Sequence, residues 1–186
     1  KVEEEIAEEA QFVLPSTITV HTESIQQQFP EIHGINTALL QQDISVLFVA
    51  VKKDRKQHIR QLHQELILQE GIDKVKFIVY VDHTVPAEDV ASCVWHFANN
   101  IDPKRDVFLT PHNEHGVSQV GIDGSRKSLK WDNFKRPWPN IIVMDDTTIE
   151  TVDAQWERWN LGPFIPSPSH RYKGQAWKGG AVAEEA

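Results

Sequence analysis

Two nearly unbroken apolar runs, Ile44–Val51 and Val75–Val81, limit more than anything else how this chain can fold. Each has the length of a strand, and a strand without polar alternation is covered on both faces, as in parallel sheets flanked by helices. Between the runs, Asp54 is placed to cap a helix reaching Glu70, with Ile59, Leu62 and Leu66 on one face and Gly71 ending it. After the second run, Thr84 reads as an N-cap and Pro86 as a first-turn residue, with Glu88 and Asp89 favouring the positive helix end. Val90, Val94 and Phe97 form the expected buried stripe of that helix, and Asn99 with Asn100 stops it. Asp106–Thr110 supplies a third short strand. This βαβαβ order predicts an α/β fold, a three-layer sandwich with a mainly parallel central sheet.

The flanking segments are less regular. Lys1–Ala10 is rich in acid and alanine, consistent with either a frayed helix or a disordered tail. Between it and the first run, Thr17–Val20 is β-branched and a short polar helix precedes Pro30. Beyond the loop Pro111–Pro139, Ile141–Met144 reads as a further strand, and Thr147 with Glu150 as a capping box. The helix that follows carries Ile149, Val152, Trp156 and Trp159 on its apolar face. The expected organisation is an acidic tail or linker over residues 1–17, an α/β domain over 18–161 and a Pro/Gly-rich extension over 162–186.

The 186 residues carry a formal net charge of −8, which disfavours nucleic acid and anionic membrane surfaces as partners because phosphate binding needs a basic field. The single cysteine, Cys93, excludes an internal disulfide and a Cys-rich metal framework, and fits a reducing, cytoplasmic setting. No apolar run approaches the roughly 18 residues of a membrane span. The chain begins at Lys rather than Met, so a piece of a longer polypeptide is expected.

In an open parallel sheet, ligands gather beyond the carboxyl ends of the strands. The expected strand order places Asp82, His83 and Thr84 after one strand and Pro111, His112 and His115 after the next, on one edge. His112, Glu114 and His115, with His83 nearby, form a weak candidate metal set, since loop His and Glu are more often only solvated. His58 and His63, five apart on a helix, read as surface or boundary residues. Asp102, Pro103, Arg105 and Asp106 suit a charge-paired structural turn. Gly121, Asp123, Gly124, Arg126 and Lys127 form a tight basic loop that suits either a phosphate or carboxylate, or a self-braced turn. Cys93 lies in a helix without a catalytic motif.

Taken in order, VDHTV, the helix bearing Val94 and Trp95, NNIDPKRDVF, GIDGSRK and RPWPN resemble the carboxyl-terminal domain of UbiD-like decarboxylases, related to 3-polyprenyl-4-hydroxybenzoate decarboxylase. FPEIHGIN and the strand ending in VKK resemble the approach to that domain, and the likeness extends from Ile18 to Leu161. It implies a reversible, non-oxidative carboxy-lyase using prenylated FMN on aromatic or α,β-unsaturated acids, in some members for ubiquinone or menaquinone synthesis. The flavin, with its divalent metal and potassium, and a Glu-Arg-Glu catalytic set are implied to sit in an upstream flavin-binding domain of the same polypeptide. The flavin holds electron density as carbon dioxide leaves, and a glutamate protonates the carbon. For these residues the resemblance implies a domain that assembles subunits into a homo-oligomer and presses an apolar wall over the substrate, with no catalytic residue of its own.

The segment Val107–Val120 is shorter than the family pattern, and the tail after Leu161 matches none of it. Two other readings stand beside the decarboxylase domain: a free-standing α/β interaction module without catalysis, and a metal-binding domain built on His83, His112 and His115. The aromatic face of Trp156 and Trp159 is the expected subunit contact.

Overall fold

Both central runs form strands, and they lie side by side in parallel. The computed structural model describes residues 14–184; the tail expected over residues 1–17 lies mostly outside them. The chain divides into two compact units, Lys1–Lys127 and Ser128–Ala186, a division that falls inside the single domain expected over 18–161.

The first unit holds a five-stranded sheet of order β1-β2-β3-β5-β4, from Ile32–Asn36 (β1), Val46–Val51 (β2), Phe77–Asp82 (β3), Val107–Leu109 (β4) and Val120–Asp123 (β5). The three central strands β2, β3 and β5 are parallel, while β1 and β4 run antiparallel at the edges. Helix α1 is Thr22–Gln28, the short polar helix expected before Pro30, and α2 is His58–Leu66. Helix α3 is Val90–Asn100, and Pro103–Asp106 forms the short α4.

Alternate residues of the central strands feed two cores. Leu47, Val49, Val51, Ile78 and Tyr80 pack with Ile25 of α1 and with Ile59, Leu62 and Leu66 of α2 on one face. Phe48, Ala50, Val79 and Val81 meet Cys93 on the other, with Val90 and Phe97 of α3 partly buried against them. Those two cores give the expected three layers.

Several local expectations are corrected. The third parallel strand is β5, not the segment at 106–110: after α4 the chain enters the edge as β4 and turns back through residues 110–119 to pair antiparallel with β5. Helix α2 starts at His58 because Gln57 adopts a left-handed φ of 54° and Asp54 gives its N–H to His58 Nδ1 at 3.2 Å instead of capping. Thr84 is not a helix cap; α3 begins six residues later, where the Asp89 carboxylate accepts from Ser92 N–H at 3.1 Å and Ser92 Oγ at 2.8 Å. The buried face of α3 turns on Cys93, and Val94 is 41% exposed. Helix α2 ends at Leu66, short of the expected Glu70, and Gly71, at φ 85°, instead opens the 3₁₀ turn Ile72–Lys74, where any Cβ would strike the Thr19 carbonyl.

Thr17–Val20 is not a strand; Pro15–Thr17 forms a 3₁₀ turn. The strand expected at 141–144 does not form either. Pro137 and Pro139 withhold donors just before it, a single bridge joins Pro139 to Val182, and Ile142 is 71% exposed. The second unit contains Leu129–Asp132 (α5), Asp146–Trp159 (α6) and Ser169–Tyr172 (α7). Asp145, not Thr147, caps α6 by accepting from Thr148 N–H at 2.9 Å. Among the described residues no helix is long and apolar enough to cross a membrane.

Candidate functional site

Because β2, β3 and β5 run in parallel, their carboxyl ends open on one rim, which brings together Lys52 and Lys53, then Asp82, His83 and Thr84, then Asp123–Lys127. Pro111, His112 and His115 lie elsewhere. Leu109 pairs with Val120, beside the start of β3, so the loop after β4 emerges at the opposite rim from Asp82. The expectation of one shared edge is overturned, because it rested on reading an antiparallel edge strand as parallel. There His115 Nε2 bonds Asp73 at 2.9 Å and Asn113 bonds the Asp73 carbonyl at 2.6 Å. His83 therefore cannot join His112 and His115 in one metal set. Its ring instead meets His33, with centroids 5.1 Å apart.

At the carboxyl rim the side chains build a buried ionic network. Asp82, 8% exposed, accepts from Arg126 N–H at 2.7 Å, tying the end of β3 to the loop after β5. Burial holds its carboxyl above the usual carboxylate range, against the Arg126 N–H and the fields of Lys53, Lys127 and His96. Asp123 goes the other way. Burial pushes it up, but Lys127, Lys53 and the hydrogen bonds from Ser125 and Lys127 hold it below the usual range.

Lys127 is 3% exposed, and its ammonium donates to the Asp123 and Ser125 carbonyls at 2.9 and 2.8 Å. The same group lies 3.0 Å from the Asp123 carboxylate and 3.6 Å from Asp106. Lys53 crosses from β2 to donate to the Arg126 carbonyl at 2.6 Å. Asp106 also takes Arg105 in a two-pronged pair at 2.7 and 2.6 Å and accepts from Asp102 N–H at 2.8 Å, so the turn at 102–106 is charge-paired. Gly124 is required here: a Cβ would lie 2.7 Å from Phe97 Cβ and 2.9 Å from the Tyr80 carbonyl.

Of the two uses open to the basic loop, the geometry favours the braced turn. Lys127 is enclosed by carbonyls and carboxylates and offers no free cation for a phosphate. The rim is thus a hydrogen-bonded frame carrying a carboxyl above its usual range, beside His83 and the buried Thr84 Oγ1, which has no hydrogen-bond partner. Sequence reasoning missed Lys53 and His96; the signal for Lys53 was its place just after β2, matching Asp82 after β3.

The two helical histidines are buried rather than peripheral. His58 is fully buried, accepts from Asp54 N–H and so presents Nε2–H to Glu31 at 3.1 Å. His63, 1% exposed, contacts the Tyr80 hydroxyl at 2.8 Å. Pro111 and His112 border a cleft of about 420 Å³ between α2 and β4, which His63 also lines. Burial, with Asp89 and Glu88, pushes the Cys93 thiol up to about 12, which keeps it un-ionised and unreactive near neutral pH.

An uncharacterized protein of Aeropyrum pernix is 27% identical over 159 residues, which cover 80% of this chain and 31% of that protein. One from Aquifex aeolicus is 28% identical over 123 residues, 61% of this chain and 25% of its own length. The chain thus spans about a third or less of these relatives. Among solved structures, Sedimentibacter hydroxybenzoicus vanillic acid decarboxylase in its closed form superposes with a TM-score of 0.57 at 12% identity, over 76% of this chain and 31% of that one. The UbiD-class enzyme HmfF from Pelotomaculum thermopropionicum, in complex with FMN, gives 0.51 at 19% identity, over 70% and 31%. These likenesses establish a shared fold. The family model for the 3-octaprenyl-4-hydroxybenzoate carboxy-lyase C-terminal domain, UbiD_C, matches residues 14–123, more than half of the chain and every strand of its sheet, and the chain belongs to that family.

Proposed function

We propose that this chain is the subunit-assembling and pocket-closing domain of a non-oxidative carboxy-lyase acting on aromatic or unsaturated carboxylic acids, with ubiquinone or menaquinone synthesis as its setting. The observation that carries the reading is the family match across the whole five-stranded sheet. In this reading an upstream domain of the same cytoplasmic polypeptide holds prenylated FMN, its divalent metal and potassium. Among the described residues no group of three or more His, Cys, Asp or Glu is placed to hold a metal, and the enclosed Lys127 does not fit a flavin phosphate. When bound, the flavin supplies an electron sink for the carbanion left by carbon dioxide.

This chain's own part is positional. Asp82, His83 and Thr84, together with Asp123, Arg126 and Lys127, form a fixed rim against which the substrate pocket closes. The Asp82–Arg126 bond locks two loops at once, so the wall excludes water without rearranging. Subunit assembly falls to the second unit, where Trp159 is 45% exposed, Leu161 61%, Phe164 54% and Ile165 63%.

Two variants of the full-length protein test the reading. Asp82→Asn is expected to raise KM for the acid while leaving subunit association unchanged, and Trp159→Ala to shift sedimentation toward smaller species while leaving the sheet folded. Unchanged KM in the first would remove the rim from the pocket. Unchanged sedimentation in the second would move the contact off α6.

A further inference from the structure

The cleft between α2 and β4 has a chemistry of its own. One wall is Arg60 and His63 of α2 with the nearby Leu68; the other is Phe108, Leu109 and Asn113. None of its lining residues is acidic, on a chain with net charge −8. Arg60 lies with its guanidinium 4.5 Å from the centre of the Phe108 ring and bonds the Arg105 carbonyl at 2.9 Å, which spends one of its five N–H donors.

His63 supplies the second observation. Tyr80 is fully buried, and burial together with Asp123 keeps its phenol protonated, well above the ordinary range. Its hydroxyl meets His63 Nδ1 at 2.8 Å, and we assign the phenol as the donor, which puts the imidazole proton on Nε2. That Nε2–H is buried and has no hydrogen-bond acceptor. The face of the neighbouring Phe108 ring, 4.8 Å away between centroids, offers only a weak contact. A buried donor without an acceptor is costly, and native interiors seldom keep one without a use.

We propose that the α2–β4 cleft binds a small monocarboxylate with an apolar body: the Phe108 ring, which packs on the imidazole, turns aside to uncover His63 Nε2–H, the carboxylate oxygens accept from that N–H and from the Arg60 guanidinium, and the hydrocarbon lies along Phe108, Leu68 and Leu109. The donors, the absence of carboxylates and the apolar walls together select this class over cations and over neutral hydrocarbons. Neither the carboxyl-end loop nor a flavin takes part, so the site stands or falls separately from the carboxy-lyase reading.

The test is an NMR titration of the 186-residue chain with hexanoate, hexanol and hexylamine, following His63 ring nitrogens and the Leu68 and Leu109 amides. Hexanoate is expected to saturate and to move His63 Nε2, hexanol to bind at least about ten-fold more weakly, and hexylamine not to bind. Arg60 is exposed, so Arg60→Gln folds, and it is expected to weaken hexanoate by about ten-fold without affecting hexanol. With hexanoate bound, the His63 titration midpoint moves up from about 4, because the carboxylate favours the imidazolium. Equal binding of hexanol and hexanoate, no saturation with hexanoate, or an Arg60→Gln protein that binds hexanoate as well as the parent would each overturn the proposal.

Discussion

At the carboxyl ends of β3 and β5 the buried charges of Asp82, Asp106 and Lys127 and the half-buried Asp123 meet partners: Lys127 has four oxygens around it, Asp106 has Arg105, and Asp82 has the Arg126 N–H. In the cleft beside α2, His63 meets Tyr80 through one nitrogen and no acceptor through the other. In the same first unit the ionic cluster is closed, although Thr84 Oγ1 beside it has no hydrogen-bond partner, and the cleft cluster is open. A closed network specifies geometry, since each member fixes the backbone of another strand's loop. An open donor specifies a ligand, or else it is a defect. The contrast separates scaffolding from recognition without reference to any relative.

The sharpest way to break the contrast is at Lys127. Replacing it with Met takes the nearest cation from the Asp123 carboxylate, while Asp106 keeps Arg105, and unfolding in urea is expected to show a loss of roughly 3–5 kcal/mol, partly recovered when Asp123→Asn is added. A loss under about 1 kcal/mol would mean that water reaches the cluster and that the rim is not a fixed frame.

His63 gives the next largest effect, and it depends on pH. Burial, with the Arg60 charge, depresses its folded pKa from 6.5 to about 4, so between those values the unfolded chain holds a proton that the folded chain refuses. Its contribution is therefore complete above pH 6.5 and is lost as pH falls toward 4, by about 3 kcal/mol in all. Urea midpoints measured across that range should show the slope in the parent and lack it in His63→Gln. An identical slope in both proteins would assign the acid sensitivity to other groups.

Gly124→Ala tests how tightly the closed rim is packed, because the new methyl meets Phe97 Cβ and the Tyr80 carbonyl; about 1–3 kcal/mol should be lost in the same denaturation assay. The smallest effect belongs to Asp89→Ala, which removes the α3 cap for about 1 kcal/mol and should leave hexanoate binding in the cleft untouched.

The central strands and their covering helices were legible because unbroken apolar runs and a period of three to four residues leave few alternatives. The edge was not. Val120–Asp123 is four residues long and interrupted by Gly121, which is there because the Phe108 ring occupies the space a Cβ would need. With β5 unseen, Val107–Leu109 took its place as a parallel strand, and Pro111 was carried to the wrong rim. Asp82 was singled out because it follows a parallel strand, and Asp123, Arg126 and Lys127 because they form a tight basic loop between glycines; that β5 carries this loop to the rim of Asp82 was not legible. His58 and His63 were misplaced for a related reason: a histidine pattern on a helix does not reveal that Glu31 and Tyr80 wait to receive it, since both partners come from distant strands and loops.

The carboxy-lyase assignment is tested most directly by isotope exchange. The full-length protein, expressed with a supply of prenylated FMN, would be incubated with an aromatic or unsaturated acid and ¹³C-bicarbonate, with and without residues 14–184. Exchange of ¹³C into the carboxyl group that collapses when these residues are removed, while flavin stays bound, is the predicted result. Exchange that continues undiminished without them, or a full-length protein that neither binds the flavin nor exchanges any acid, would contradict the account.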